Sequence, residues 1–236
     1  MLIAGFPALA LGTNCWVVAP AAGEQCVVID PGIGVVDQLE DVLTKHRLHP
    51  AAVILTHGHL DHTFSVAPVC GARDIPAYIH PADADQLADP WSFIGAPKGT
   101  PIFGLEYTEP SDVKMLADGE TLQLAGVELS VTLAPGHTPG SLVFGVETPD
   151  APVLFSGDLL FAGSIGRVDL PGGSAQDMLA SLARVVLPMD DATVVKPGHG
   201  PDTTIARERA TNPYLLQVAE AAGNAADGTF LPRTGL

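Results

Sequence analysis

Short apolar runs recur along the chain between Gly, Pro and Asp, and their length and spacing separate strands from helices. Runs of about 4–8 Val-, Ile- and Leu-rich residues bounded by turn formers read as strands. Residues 15–19 and 25–29 are two such runs around A-P-A-A-G-E and predict an antiparallel hairpin. Residues 53–55, 77–79, 121–124, 128–134, 141–146, 153–155 and 193–195 predict further strands. The apolar opening, M-L-I-A-G-F-P-A-L-A-L-G, predicts a strand and a turn. It has no Lys or Arg ahead of its apolar residues, and Pro7 and Gly12 interrupt it, so it does not read as an export signal.

Helical spacing appears at Val35, Val36, Leu39, Val42 and Leu43, which predicts a helix over 35–46. A second helix is predicted over 174–187, with Ser174 as its cap and Met178, Leu179, Leu182, Val185 and Val186 on its apolar side. A short helix is expected over 82–87, and a helical stretch over 203–222 that Pro213 breaks. Residues 89–112 are rich in Pro and Gly and predict a long loop, a feature that in compact domains usually serves function. Gly- and Ala-rich residues 223–236 predict a fraying tail. With no repeat and no linker, residues 1–236 read as one domain.

Composition narrows the partners. The 236 residues are 47% hydrophobic and 16% charged, enough to bury a core. Against 11 Lys and Arg stand 27 Asp and Glu, for a formal charge of -16. Neither nucleic acid nor an anionic membrane surface suits such a chain as partner. No apolar run spans a bilayer. Cys15, Cys26 and Cys70 form no C-x-x-C pair and read as reduced, buried thiols, which predicts a cytoplasmic protein. The oligomeric state is left open.

The chemistry sits in four motifs, each just past a short apolar strand. They are T-H-G-H-L-D-H at 56–62, P-G-H-T-P-G at 135–140, S-G-D at 156–158 and P-G-H-G-P at 197–201. Loops at strand ends are where a sheet fixes functional groups. Imidazole together with carboxylate suits zinc, iron or manganese. His57 and His59, two apart, can face one ion, while Asp61 and His62 enter a helix and suit a second beside it. Asp158 can bridge them, which leaves room for a shared water of lowered pKa. Asp30, in V-V-I-D-P-G, is either a turn residue or a carboxylate that orients a ligand His. His46, His49 and His80 stand outside the motifs and read as ordinary hydrogen-bonded residues.

These motifs, with S-G-D-L-L-F-A-G-S-I-G-R-V-D-L-P-G-G and K-P-G-H-G-P in full, resemble the metallo-β-lactamase superfamily, and within it the short glyoxalase II-like hydrolases. The resemblance implies an α/β fold, an αββα sandwich of two mixed sheets flanked by helices. It implies His57, His59 and His137 on one metal, Asp61, His62 and His199 on the second, and Asp158 between, with Asp61 and Asp158 as catalytic residues. Two divalent ions, zinc first and iron or manganese next, are the implied cofactors. The implied reaction is attack of a metal-bridging hydroxide on a thioester carbonyl. Arg167 falls where such hydrolases meet the carboxylate of a glutathione thioester. The stretch after His199 is too short for the helical domain of the longer glyoxalase II enzymes, so the thiol carrier stays open. The bridging Asp158 disfavours antibiotic hydrolysis, and the absence of a large insertion disfavours RNA processing. Alternatives are a persulfide dioxygenase with one iron, a lactone or other ester hydrolase, and a non-catalytic metal-binding scaffold.

Overall fold

The computed structural model describes residues 1–226. Six strands form the first sheet, in the order β1 (Leu2–Pro7), β2 (Asn14–Ala19), β3 (Gln25–Ile29), β4 (His49–Ile54), β5 (Ala77–Ile79) and β6 (Val113–Met115). The first three pair antiparallel and the rest parallel, as the helical connections after β3, β4 and β5 require. The second sheet holds β7 (Thr121–Leu124), β8 (Val127–Leu133), β9 (Leu142–Val146), β10 (Val153–Gly157), β11 (Val194–Pro197) and β12 (Thr203–Thr204). Its strands lie side by side in that order. Only its β10–β11 pair is parallel. The two mixed sheets and their flanking helices make the expected αββα sandwich.

Strand alternation builds the layers. Trp16 and Val18 of β2, Val27 and Ile29 of β3, and Ile54 of β4 meet Leu129, Val131, Phe144 and Phe155 between the sheets. Their alternate neighbours Cys15, Val17, Cys26, Val28 and Val53 face the other way, onto Leu39 and Leu43 of helix α1 (Val36–His46). Helices α2 (Leu60–Thr63), α3 (Val66–Gly71), α4 (Asp85–Ala88) and α5 (Pro90–Ile94) complete that side. Behind the second sheet lie α6 (Ala175–Ser181), continued by a wider π-type turn at Leu182–Val186, then α7 (Ile205–Thr211) and α8 (Pro213–Ala226). Met178, Leu182, Val186, Ile205 and Leu215 pack there against Val143, Leu154 and Val195. The three cysteines are free and buried, and burial pushes the Cys26 and Cys70 thiols up to about 12.

Several expectations need correction. The loop over 89–112 contains α5, capped by Asp89, whose carboxylate accepts from the Ser92 N–H with Pro90 at the first helical position. The Trp91 indole donates to the Thr100 carbonyl and the Tyr107 hydroxyl to that of Leu87, both at 2.8 Å, so this segment is tied to the fold. The stretch over 203–222 begins as a strand. Its break falls at Pro213 as expected: Asn212 just before it is extended (ψ 119), because a residue before proline avoids the helical region. Gly223 lies inside α8, so the expected tail does not begin there; residues 227–236 lie outside the described residues.

Candidate metal centre

All four motif loops reach the same rim. His57 and His59 follow β4, His137 follows β8, Asp158 directly follows β10, and His199 follows β11. His57, His59 and His137 each offer a donor atom, mutually within 4.8 Å. Asp61, His62 and His199 do the same, and so do His57, His62 and Asp158, which joins the two groups. Asp158 Oδ1 stands 3.4 Å from His62 Nε2, and its Oδ2 stands 3.4 Å from His137 Nε2 and 3.7 Å from His199 Nε2. The seven residues singled out by the motifs are therefore one constellation. His46, His49 and His80 are not in it, and the His80 ring instead accepts from the Ala82 N–H.

Hydrogen bonds fix the tautomers. His137 Nδ1 lies 2.7 Å from the Arg167 carbonyl, which can only accept, so Nδ1 carries a proton and Nε2 is the atom turned to the centre. The Thr56 hydroxyl donates to Asp30 at 2.6 Å and so accepts from His57 Nδ1 at 3.0 Å. His62 Nδ1 donates to the same Asp30 carboxylate at 2.9 Å. Each of these rings is thereby held with Nε2 toward the centre, the arrangement carboxylates and carbonyls impose on metal-binding histidines. Asp30 is the orienting carboxylate of the two readings open to it. It is buried, with φ at 51°, in the left-handed region that Asp tolerates better than most residues.

The donor set fits cations. Among the described residues four buried side-chain polar atoms lack a hydrogen-bond partner, and three are here: His57 Nε2, His137 Nε2 and Asp158 Oδ1. A buried polar atom without a partner is costly, and a metal ion satisfies it. Donors about 2.0–2.2 Å from one tetrahedral ion stand roughly 3.3–3.6 Å apart. His62 Nε2 to His199 Nε2 is 3.3 Å, His62 Nε2 to Asp61 Oδ2 is 3.5 Å, and His199 Nε2 to Asp61 Oδ2 is 3.2 Å. Nothing larger than glycine fits beside them at position 198, where a Cβ would fall 2.2 Å from Asp158 Oδ1.

The local field separates the two groups. Burial, with the neighbouring imidazoles adding, lowers His57 well below the usual histidine range and brings His59 to about 3. Burial acts the same way on His62, but Asp61, Asp158 and Asp30 outweigh it and raise its pKa to about 10. Burial alone would raise the Asp61 carboxyl; His62 and hydrogen bonds from His199 and Thr13 hold it low instead. His57 and His59 thus offer neutral nitrogens, while Asp61 brings anionic oxygen to the second group.

Three features were not visible in the motifs. The first is a set of anchors from β1–β2 of the other sheet. The Thr13 hydroxyl donates to Asp61 at 2.8 Å, and the Asn14 amide donates to the Pro197 and Gly200 carbonyls that flank His199. The second is Asp83, wholly buried, which accepts from Gly58 N, Thr138 Oγ1 and Gly140 N and so ties the first histidine loop to the second. The third is the main-chain carbonyl of Arg167. Its guanidinium points elsewhere, in a two-pronged 2.8 Å pair with Asp169 that solvent reaches.

A family model described as the metallo-beta-lactamase superfamily matches residues 8–199. A hydroxyacylglutathione hydrolase of Haemophilus influenzae is 31% identical over 211 residues, covering 89% of this chain and 95% of that one. Among solved structures, BLEG-1 B3 metallo-beta-lactamase superposes with a TM-score of 0.80 at 36% identity, over 91% of this chain and 99% of that one. A protein solved in a di-iron-bound form superposes at 0.75, also at 36% identity, over 90% of this chain and 100% of that one.

Proposed function

This chain belongs to the metallo-beta-lactamase superfamily, and from that membership we propose that it is a metal-dependent hydrolase that cleaves thioesters with two divalent cations. His57, His59 and His137 would hold one ion and Asp61, His62 and His199 the other. The observation that carries this reading is Asp158, whose two oxygens face both groups. Two such ions supply a water of lowered pKa and a Lewis acid for a carbonyl oxygen. Imidazole with carboxylate suits zinc, and iron or manganese next.

The chain's own residues favour a leaving group that departs without a proton. The hydroxyls bonded to the donor set, Thr13 and Thr56, both donate to carboxylates, to Asp61 and Asp30. Neither is free to protonate a departing alkoxide. A thiolate needs no such help near neutral pH, since a free thiol has a pKa of about 8.5. The similarity to the hydroxyacylglutathione hydrolase supports the same substrate class.

The test is metal analysis followed by a panel of thioesters, lactones and β-lactams. We expect about two transition-metal ions per chain under metal-replete conditions and turnover of thioesters first. One iron per chain with oxygen uptake on a persulfide would replace this reading with the dioxygenase. Preferential β-lactam cleavage would move the chain toward the BLEG-1 metallo-beta-lactamase that it resembles.

Arg167 belongs to the same proposal as the contact for a carrier carboxylate. Its pair with Asp169 lies in solvent, so an incoming carboxylate exchanges for Asp169 at little cost. Alanine keeps the carbonyl that orients His137, so Arg167→Ala is expected to leave metal content and kcat unchanged. KM should rise about tenfold for a carboxylate-bearing thioester and stay constant for a neutral one. Equal losses on both substrates would assign Arg167 to site structure.

A further inference from the structure

An apolar cleft of about 420 Å³ opens directly from the donor set, with His59 and Asp61 at its polar end. Leu11, Ile33, Ile94, Ile102, Phe103 and Leu170 supply its walls, and among the described residues no Lys or Arg lines it. Its floor is packed: Ile33, Leu60, Phe64, Trp91 and Ile102 form a buried cluster of their own. Its mouth is different: Leu11, Ile94 and Phe103 are all more than half exposed. Leu11 and Phe103 also have positive φ, 63° and 50°, a conformation that large side chains rarely adopt. Two loop tips thus hold bulky apolar side chains in an uncommon conformation at the rim of one cleft beside the candidate centre. Solvent-exposed apolar surface of this kind, continuous with a reactive site, marks a ligand groove.

We propose that this cleft receives the hydrocarbon acyl group of the substrate, uncharged along its length, with the reacting carbonyl at the His59–Asp61 end. The inference deepens the hydrolase reading and rests on it. The carrier is the poorer occupant. Thiol carriers are polar and charged, and among the described residues the walls of this cleft hold no Lys or Arg to pair with a carboxylate or phosphate along their length. The carrier's charge finds Arg167 outside, on the solvent side. The volume lies in the lower part of the range for small-molecule sites, which suits an acyl chain of moderate length.

The experiment compares acetyl, butanoyl, hexanoyl and octanoyl groups on one thiol carrier, then the same acyl groups on p-nitrophenol. It is paired with calorimetric binding of straight-chain methyl ketones, neutral analogues that need no turnover. Each methylene drawn into the cleft is expected to raise kcat/KM, and to tighten ketone binding, by up to about fourfold until the cleft is full. Ile94→Asp changes an exposed wall residue and should flatten both trends. Met115→Ser, an exposed apolar position on β6 outside the cleft, should leave both intact. A length trend that holds for the phenyl esters and ketones while thioesters are not cleaved sustains the acyl cleft and overturns the thioester reading. Rates and affinities independent of acyl length overturn the cleft proposal. So does a concentration-dependent dimer that Ile94→Asp splits without any length dependence, which gives this face to a second copy of the chain.

Discussion

Asp158→Ala is expected to end hydrolysis and to leave at most one loosely held ion per chain. The carboxylate leaves β10 at the one point where the donor groups approach each other, 3.4 Å from His62 and 3.4 Å from His137. Without it, two divalent charges a few ångströms apart lose the anion between them, and their repulsion is weakly screened in a buried site. The loss of activity should exceed the roughly 10–100-fold typical of residues that only orient a ligand. Asp158→Asn keeps the shape and one oxygen but removes the charge, so it should retain a single ion and little activity. Metal content after dialysis, measured beside thioester turnover, decides this, with circular dichroism to establish that both variants fold. An alanine variant that keeps two ions and its rate would break the assignment of Asp158 as the bridge.

How much of this was legible follows from how far apart the cooperating residues lie. Strands β2, β3, β9 and β10 read as near-continuous apolar runs because one face lies between the sheets and the other under helices, while β8 alternates because Glu128 and Ser130 on its second face are exposed. β6 escapes notice because it is a three-residue edge strand with an exposed Lys114 at its centre. Edge strands carry little hydrophobic signal. The motif histidines could be read because a few adjacent residues carry most of each donor group. The groups that hold them could not. Thr13 reaches Asp61 across 48 positions, and Asn14 reaches Pro197 across 183. Arg167 shows a subtler limit, since its side-chain chemistry drew attention while its carbonyl, which every residue has, orients His137. In H-P-A-D-A-D two aspartates stand two apart, and only the fold makes Asp83 buried and Asp85 exposed.

Asp83 is the residue outside the donor set whose loss should matter most. Its Oδ2 accepts from Gly58 N at 2.9 Å and Thr138 Oγ1 at 2.6 Å, and its Oδ1 accepts from Gly140 N at 2.8 Å. Gly58 lies between His57 and His59, and Thr138 follows His137, so one carboxylate sets the spacing of all three histidines. The packing admits no slack, as a Cβ at Gly140 would fall 2.6 Å from that same Oδ1. Asp83→Ala strands two buried donors, the Gly58 and Gly140 N–H groups, at roughly 1–3 kcal/mol each, a large part of a typical stability of about 5–15 kcal/mol, and leaves the Thr138 hydroxyl with Ser141 alone. We expect a poorly folded protein. Asp83→Asn is the informative variant. Its amide oxygen can still accept from Gly58 and Thr138, but its NH2 meets the Gly140 N–H donor to donor. It should fold, yet bind the ion at His57, His59 and His137 about 10–100-fold more weakly. Chelator titration of the two ions, compared with thermal melting of the metal-stripped protein, separates the roles. A lower melting temperature with unchanged metal affinity would make Asp83 a structural staple and nothing more.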